Sequence, residues 1–451
     1  MKAIIIGCGD VGLSVADMLI KENHNVTLID RSEDMTSSLS DDLDAMVITG
    51  SGNAVSTLRE ADVEHADTII AVTDSDEVNL LCCLIAKKIS SCSTIARVRD
   101  PVYIDELDFI KDRLGIDLII NPEFAAAREI SRLLLFPAAD SIVTFARNRV
   151  LLTNGHLKEN NALNGTTLAG SGQKIGDNVL VAAVERAEEI FIPDGSFRFQ
   201  PGDRVFVLAS AKQTKSFYKR MGFPSNRVKN VLIAGGGTIA YYLADLLCDM
   251  NIRVHIIEKD PERAKLLSDK LPRTVIIQGD ATDRDTLISH GLLQADAFVT
   301  LMGADEENVM ISLFAKARTE ARLVMKVDRA AFRDIIAGLD LESVIYPDQM
   351  TSDFIIQYLR SAQNSTGNNI ETLYHMFDGR AEALEFLVRT PSPVTGIRLR
   401  DLNLKKDTLI GCINRHGRVI IPKGNDMIQI GDTVVIVTAQ KGLHDLTDIL
   451  K

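Results

Sequence analysis

The stretch Ala3-Ile4-Ile5-Ile6-Gly7-Cys8-Gly9-Asp10-Val11-Gly12 opens the chain, and Asp30 closes the apolar run that follows. An apolar strand running into Gly-x-Gly-x-x-Gly predicts a strand, a tight turn and a helix. Gly7 allows the turn, Gly9 lets backbone approach a pyrophosphate, and Gly12 lets the helix lie close to the sheet. The helix N-H groups then face the phosphates. One such motif is weak evidence, but this chain carries it twice. Val231-Leu232-Ile233-Ala234 runs into Gly235-Gly236-Gly237-Thr238-Ile239-Ala240, with Glu258 in the acid's place. Glycine and acid are both displaced by 228 positions (235 − 7 and 258 − 30), so the interval inside each motif is 23. Two nucleotide-binding halves are the expectation.

Outward from the first motif, apolar runs at 2–6, 25–29, 45–49, 68–72, 94–98 and 117–120 are separated by amphipathic stretches at 11–21, 33–43, 78–89 and 102–114. Strands alternating with helices predict right-handed crossovers and a parallel sheet covered on both faces, the doubly wound (Rossmann-like) α/β class. From about Asn230 to Pro347 the pattern returns. Gly50 and Gly279, Asp67 and Asp296, Asn79 and Asn308, Lys87 and Lys316, and Arg97 and Lys326 are each 229 apart. Helical stretches at 122–135 and 349–360 follow the two halves. Each leads to a smaller unit of short strands and turns, marked by Pro193-Asp194-Gly195 and Pro201-Gly202-Asp203 in one copy and by Pro422-Lys423-Gly424 and Gly431-Asp432 in the other. These read as compact β-rich domains with closing helices at 211–220 and 443–450. Polar connectors are expected at 221–230 and 361–369. The predicted domains are 1–121, 140–222, 229–347 and 369–451.

With 451 residues the chain has room for several ordinary domains, and its formal charge of −12 argues against nucleic acid as a partner. The six cysteines have neither metal-ligand spacing nor a disulfide framework, as in a reducing cytoplasm. Cys82-Cys83 is expected to pack within a helix. Met1 runs directly into a strand, so no signal peptide is expected. No apolar stretch reaches the roughly 20 residues that span a bilayer.

Asp30 sits where a carboxylate accepts hydrogen bonds from adenosine ribose hydroxyls, and it repels a 2′-phosphate. NAD(H), ADP or ATP should therefore be preferred to NADP, with Arg31 the residue that could rescue a 2′-phosphate. Thr73-Asp74-Ser75-Asp76-Glu77 follows the fourth strand at the carboxyl edge, where ligands of open parallel sheets bind; Ser75 or Asp76 also suits a helix cap. Arg97 and Arg99 alternate along the fifth strand and are expected on one face, serving phosphate recognition or a subunit-interface ion pair. In the second copy Glu258 preserves the acid, but Thr73-Asp74 becomes Met302-Gly303, Arg97 becomes Lys326 and Arg99 becomes Asp328. A weaker phosphate grip follows, with Asp280 the substitute contact to ribose or base. Cys8 reads either as a redox-sensitive thiol or, better, as small-residue packing. The eight histidines form no spaced cluster, and no catalytic or metal motif is evident.

The tandem glycine motifs, the stretch Ala66-Asp67-Thr68-Ile69-Ile70-Ala71-Val72-Thr73-Asp74-Ser75-Asp76-Glu77-Val78-Asn79 and the strand Ile95-Ala96-Arg97-Val98-Arg99 resemble the regulatory subunits of Trk potassium-uptake systems, a family of tandem RCK (regulator of potassium conductance) modules. The resemblance covers the whole chain. It implies two RCK N-terminal domains, each followed by a small α+β RCK C-terminal domain. It further implies a cytoplasmic, peripheral subunit that assembles as a homo-oligomeric ring, expected to be a tetramer, beneath a Trk-type membrane potassium transporter. Bound NAD(H) or ATP/ADP would gate that partner, with no catalytic residues. By the same resemblance Gly7 to Val11, Asp30, Thr73, Asp74 and Arg97 form one site, Gly235 to Ile239 with Glu258 the other, and Arg99 lies near terminal phosphates, reaching a neighbouring subunit's ligand. The rival expectation is an NAD-dependent dehydrogenase with duplicated domains, which needs a proton donor or acceptor beside the nicotinamide. A scaffold that keeps nucleotide for stability is the third.

Overall fold

A computed structural model describes residues 1–39, 43–135, 141–146, 149–176, 178–187, 189–222, 228–329, 335–336, 338–339, 341, 343–363, 370–377 and 380–451. The expected connector at Pro224-Ser225-Asn226 and most of that at 361–369 lie outside them. The chain divides into two compact units, Met1–Ser131 with Val228–Ile356, and Arg132–Arg227 with Gln357–Lys451.

In the first unit, β1 (Lys2–Ile6), α1 (Asp10–Lys21), β2 (Asn25–Asp30), α2 (Glu33–Leu39), β3 (Met46–Thr49), α3 (Val55–Glu60), β4 (Thr68–Ala71), α4 (Asp76–Ile89), β5 (Ser93–Arg97), α5 (Leu107–Leu114) and β6 (Leu118–Ile120) lead into α6 (Pro122–Leu135). All strand pairings are parallel, in the order β3-β2-β1-β4-β5-β6. The order reverses between β1 and β4, which opens a crevice at their carboxyl ends. The central strands are apolar after their first residues, Lys2 and Thr68, because helices cover both faces: Ala3, Ile4, Ile5, Ile69, Ile70 and Ala71 are fully buried.

The second unit begins with β7 (Ser141–Phe145), β8 (Val150–His156), α7 (Gly172–Ile175), β9 (Val179–Arg186), β10 (Glu189–Phe191), β11 (Arg204–Ala209) and α8 (Ala211–Arg220). The chain then returns to the first unit with β12 (Asn230–Ala234), α9 (Thr238–Asp249), β13 (Arg253–Glu258), α10 (Pro261–Lys270), β14 (Val275–Gln278), α11 (Arg284–Ser289), β15 (Ala297–Thr300), α12 (Asp305–Lys316), β16 (Arg322–Lys326), β17 (Val344–Ile345) and α13 (Pro347–Gln363). This parallel sheet has the matching order, β14-β13-β12-β15-β16-β17. It is followed by β18 (Ile370–Met376), β19 (Ala381–Leu387), β20 (Thr408–Arg415), β21 (Arg418–Ile420) and β22 (Thr433–Thr438).

The small domains are two antiparallel sheets of one topology, β10-β9-β11-β8-β7 and β18-β19-β22-β20-β21. Their turns are locked alike. Fully buried Asp203 takes a bidentate pair from Arg186 (2.7 and 2.8 Å), and Asp432 takes one from Arg415 (2.8 and 2.7 Å). Each aspartate also accepts the N-H of the residue three before it, Gln200 or Gln429. The two sheets share a core in which Phe206 meets Phe377 at 4.5 Å. Across it the buried Glu385 accepts the Ala146 N-H at 2.6 Å, and Arg380 pairs with Glu185 at 2.7 Å. The structure departs from the sequence reading in two ways here. The strands before each turn-rich region, β7 and β8 in one copy and β18 and β19 in the other, complete the sheets. The closing helix of the last domain is a single 3-10 turn, Leu446–Ile449, because Gly442 (φ +72°) breaks the run and Asp445 caps only one turn.

Candidate functional site

Both glycine turns have the geometry that the motif demands. Gly7 (φ +104°) and Gly235 (φ +97°) lie in the left-handed region. A Cβ on either would come within 2.9 Å of backbone, at Thr73 or Leu301. At Gly9 and Gly237, by contrast, a Cβ would meet nothing within 4 Å. No side chain caps either following helix, α1 or α9. Gly12 is packed so that a Cβ would stand 2.0 Å from the Gly7 carbonyl oxygen, while Val11 and Ala240 are buried.

The acids brace these turns. Asp30 accepts the N-H of Cys8 (2.8 Å) and of Ser32 (2.9 Å); Glu258 accepts those of Gly236 (2.7 Å) and Asp260 (2.8 Å). A carboxylate offers about four lone-pair positions, so each retains capacity for ribose hydroxyls. The Cys8 thiol is fully buried, and burial followed by the Asp30 charge pushes it up to about 12. Packing is its role, and only its N-H belongs to the turn.

At the carboxyl edge, β5 ends at Arg97, so Arg99 lies beyond the strand. The two side chains nevertheless converge on one loop. Arg97 Nη2 donates to the Thr73 carbonyl (3.0 Å) and approaches Asp74 (3.4 Å), and Arg99 Nη2 donates to the Asp74 carbonyl. Burial first, then repulsion from Arg99, pulls Arg97 down from the ordinary arginine value, against Glu123, Asp74 and Asp348. Its Nε is buried with no acceptor among the described residues. That leaves the guanidinium one donor for an anion beyond its long contact with Asp74. In the second copy Lys326 is paired with Asp328, and Asp280 is taken by Lys259 at 2.7 Å, which with the Thr282 bonds brings its carboxyl down to about 2.

The repeat offset pointed at further residues whose roles the sequence did not reveal. Asn79 and Asn308 are fully buried. Asn79 accepts from Thr73 N (2.8 Å) and Thr73 Oγ1 (2.7 Å) and donates to the carbonyls of Thr73 (3.0 Å) and Arg97 (2.9 Å). Asn308 repeats this on Met302 (2.9 and 3.0 Å) and Lys326 (3.2 Å). Ser75 caps α4, whereas Asp76 takes the N-H groups of Arg99 and Asp100, both at 2.8 Å; Asp305 does the same for Asp328 and Arg329.

The two parallel-sheet domains meet at these edges. Tyr242 on α9 donates its hydroxyl to the Arg99 carbonyl (3.0 Å), accepts from Asn121 Nδ2 (3.0 Å), and sets its ring against Phe124 at 5.4 Å. Burial first among its causes pushes its phenol up to about 12. On the other side Asp10 and Ser14 of α1 face Asp328, Arg329, Tyr346, Asp348 and Gln349 across a cavity of about 120 Å³. Burial, then the carboxylates of Asp328 and Asp10, push Asp348 up to about 6, against Arg97 and Lys326. Its folded value lies above the ordinary 3.8, so the folded chain holds the proton longer. Stability therefore falls as pH rises from about 4 to about 6, and the penalty is complete above that. Asp348 keeps partial contact with water, which reduces the effect to about 1 kcal/mol. Asp348→Asn is expected to raise the unfolding midpoint at pH 7.5 but not at pH 4; equal midpoints at both would contradict this.

Comparison with known proteins follows the same plan. The TrkA-N domain model matches residues 3–122 and 231–347, and the TrkA-C domain model matches 157–222 and 383–451. The chain is 30% identical over 448 residues to the Trk system potassium uptake protein TrkA of Haemophilus influenzae, covering 98% of this chain and 96% of that one. It is 32% identical over 451 residues to the TrkA homolog of Archaeoglobus fulgidus, covering all of both. Among solved structures, the GsuK channel bound to NAD has a TM-score of 0.64 at 17% identity, over 97% of this chain and 76% of that one. The GsuK channel bound to ADP has 0.52 at 15% identity, over 79% and 69%.

Proposed function

The chain belongs to the TrkA family, and on that premise we propose that it is the regulatory subunit of a potassium-uptake system, a nucleotide sensor that gates a membrane potassium transporter. Residues 1–121 and 229–347 are the nucleotide domains, and 140–222 and 369–451 the small ones. The ligands are NAD(H) and ATP or ADP, held in the first copy by Gly7 to Gly12, Asp30, Thr73, Asp74, Arg97 and Arg99. In the second they are held by Gly235 to Ile239, Glu258, Asp280 and Lys326. No described helix is long and apolar enough to cross a membrane; the subunit works at the cytoplasmic face as a homo-oligomeric ring, docked on its partner.

The observation that carries this reading is the unfilled Arg97 Nε beside Arg99, above a glycine turn with open space at Gly9. Two converging guanidiniums, one with an unfilled Nε and each with only a long carboxylate contact (Arg97 to Asp74 at 3.4 Å, Arg99 to Asp76 at 3.9 Å), suit a polyphosphate. The names of the relatives, potassium uptake proteins, favour a part in potassium transport over a dehydrogenase. Gating requires that a nucleotide bind one arrangement better than the other. Moving a population from 1:99 to 99:1 takes about 5.5 kcal/mol, readily shared among several sites.

Reconstituting the chain with a Trk-type transporter in vesicles tests the function. Potassium flux is expected to change with ATP, ADP or NADH; hydride transfer with no effect on flux would favour the dehydrogenase. Arg99→Ala is expected to weaken ATP about 10-fold or more, the worth of one charged hydrogen bond, and NADH less. Equal losses would remove Arg99 as the discriminator.

A further inference from the structure

The contact between the two nucleotide domains is built from equivalent parts used unequally. Tyr242 occupies the place of Ser14 (242 − 14 = 228). Strand register aligns Arg97–Ile120 with Lys326–Ile345, so Asn121, Glu123 and Phe124 correspond to Tyr346, Asp348 and Gln349 (345 − 120 = 225). Each glycine-motif helix thus faces the other domain's carboxyl edge. On one side a tyrosine reaches across; on the other a serine leaves the cavity.

The tyrosine side bears on the first phosphate corner. The Arg99 N-H is fixed by Asp76 of its own domain; its carbonyl takes its shorter hydrogen bond (3.0 Å) from Tyr242 of the other domain and a longer one (3.5 Å) from Asn121 of its own. Tyr242 is one turn along α9 from Thr238, on the same helix face, and Thr238 opens the helix where the second copy's phosphates would sit. A hydrogen bond at 3.0 Å weakens with a few tenths of an ångström of movement, so any shift of α9 on binding is felt at Arg99.

We propose that Tyr242 is a positioning residue for the first nucleotide site and that it couples the occupancy of the two sites. The inference rests on the nucleotide reading of both copies. The coupling is reciprocal: whatever factor one ligand imposes on the other is returned. It runs through one side of the domain contact only, because Ser14 is too short to reach the Asp328 edge across the cavity.

The test is calorimetric titration of the full chain with NADH, with and without saturating ATP, and the reverse. In the parent chain each nucleotide is expected to change the other's affinity about fivefold or more, by the same factor in both directions. Tyr242→Phe keeps the ring against Phe124 and loses the hydroxyl; it should bring the factor to within about twofold of unity. Asn121→Ser keeps a cap for α6 and loses the donor to Tyr242, and should move the factor the same way. A coupling factor unchanged in Tyr242→Phe overturns the proposal. So does a factor of one in the parent chain with both nucleotides bound, or strict competition for a single site. Failure of the parent chain to bind any nucleotide would instead overturn the sensor reading, and the coupling with it.

Discussion

Gly9→Asp is expected to leave the first nucleotide domain folded and to abolish its ligand. The backbone at Gly9 has φ −74°, which any residue adopts, and a Cβ there meets nothing within 4 Å. Aspartate is moreover a preferred N-cap, and α1 has no side-chain cap of its own, so stability should hold or rise slightly. The new carboxylate would stand where backbone must approach the pyrophosphate. Two unit charges about 4 Å apart repel by about 4 kcal/mol at a near-surface dielectric, or roughly 1000-fold in affinity. Calorimetric titration beside thermal unfolding would read both quantities. Gly237→Asp is the same experiment on the second copy. Affinity retained with the fold intact would mean that the glycine turn is not the phosphate site.

Asn79→Ala should do the opposite, costing stability before anything else. The amide fills four hydrogen bonds in a fully buried position, tying the loop after β4 to the end of β5. Truncation leaves the part-buried Thr73 N-H and Arg97 carbonyl without that partner. Each such group costs about 1 to 3 kcal/mol, so a total of about 3 kcal/mol is a moderate expectation. For a domain of this size that lowers the unfolding midpoint by about 10 °C. Phosphate binding should weaken too, because Thr73 and Arg97 lose their common anchor. Asn308→Ala is expected to match it in stability loss. A midpoint within 2 °C or so of the parent chain would show that the loop holds its shape without the amide.

Much of this was legible in the sequence because local rules and tertiary structure agree here. Apolar runs of strand length, separated by helices, determine a parallel sheet almost by themselves, and the glycine turns sit where the motif puts them. The convergence of Arg97 and Arg99 was also readable, although Arg99 achieves it from beyond the strand. Asn79 and Asn308 were visible only as a matched pair. An asparagine near a helix start reads as a surface residue, and nothing local says that its amide turns inward to bind two strand ends. Tyr242 was hidden more deeply, since its partner Asn121 is far away in sequence. The offset that aligns that edge of the two domains is 225 rather than 228 or 229, so the repeat arithmetic alone misaligns it. Between β7 and β8 no Gly or Pro punctuates the sequence, whereas Asp378-Gly379 between β18 and β19 is a hairpin signal that the repeat reading did not use.

The serine opposite the tyrosine also bears on how such a molecule can change over generations. When two identical chains meet about a two-fold axis, every substitution is written on both sides of the contact at once, and a change that helps one side must be tolerated by its mirror image. Here both partners are encoded in a single reading frame, and the contact is only approximately symmetric. A mutation at position 14 leaves position 242 alone. One side can carry a bridging side chain while the other keeps a hollow, and the two corners can differ without a second gene.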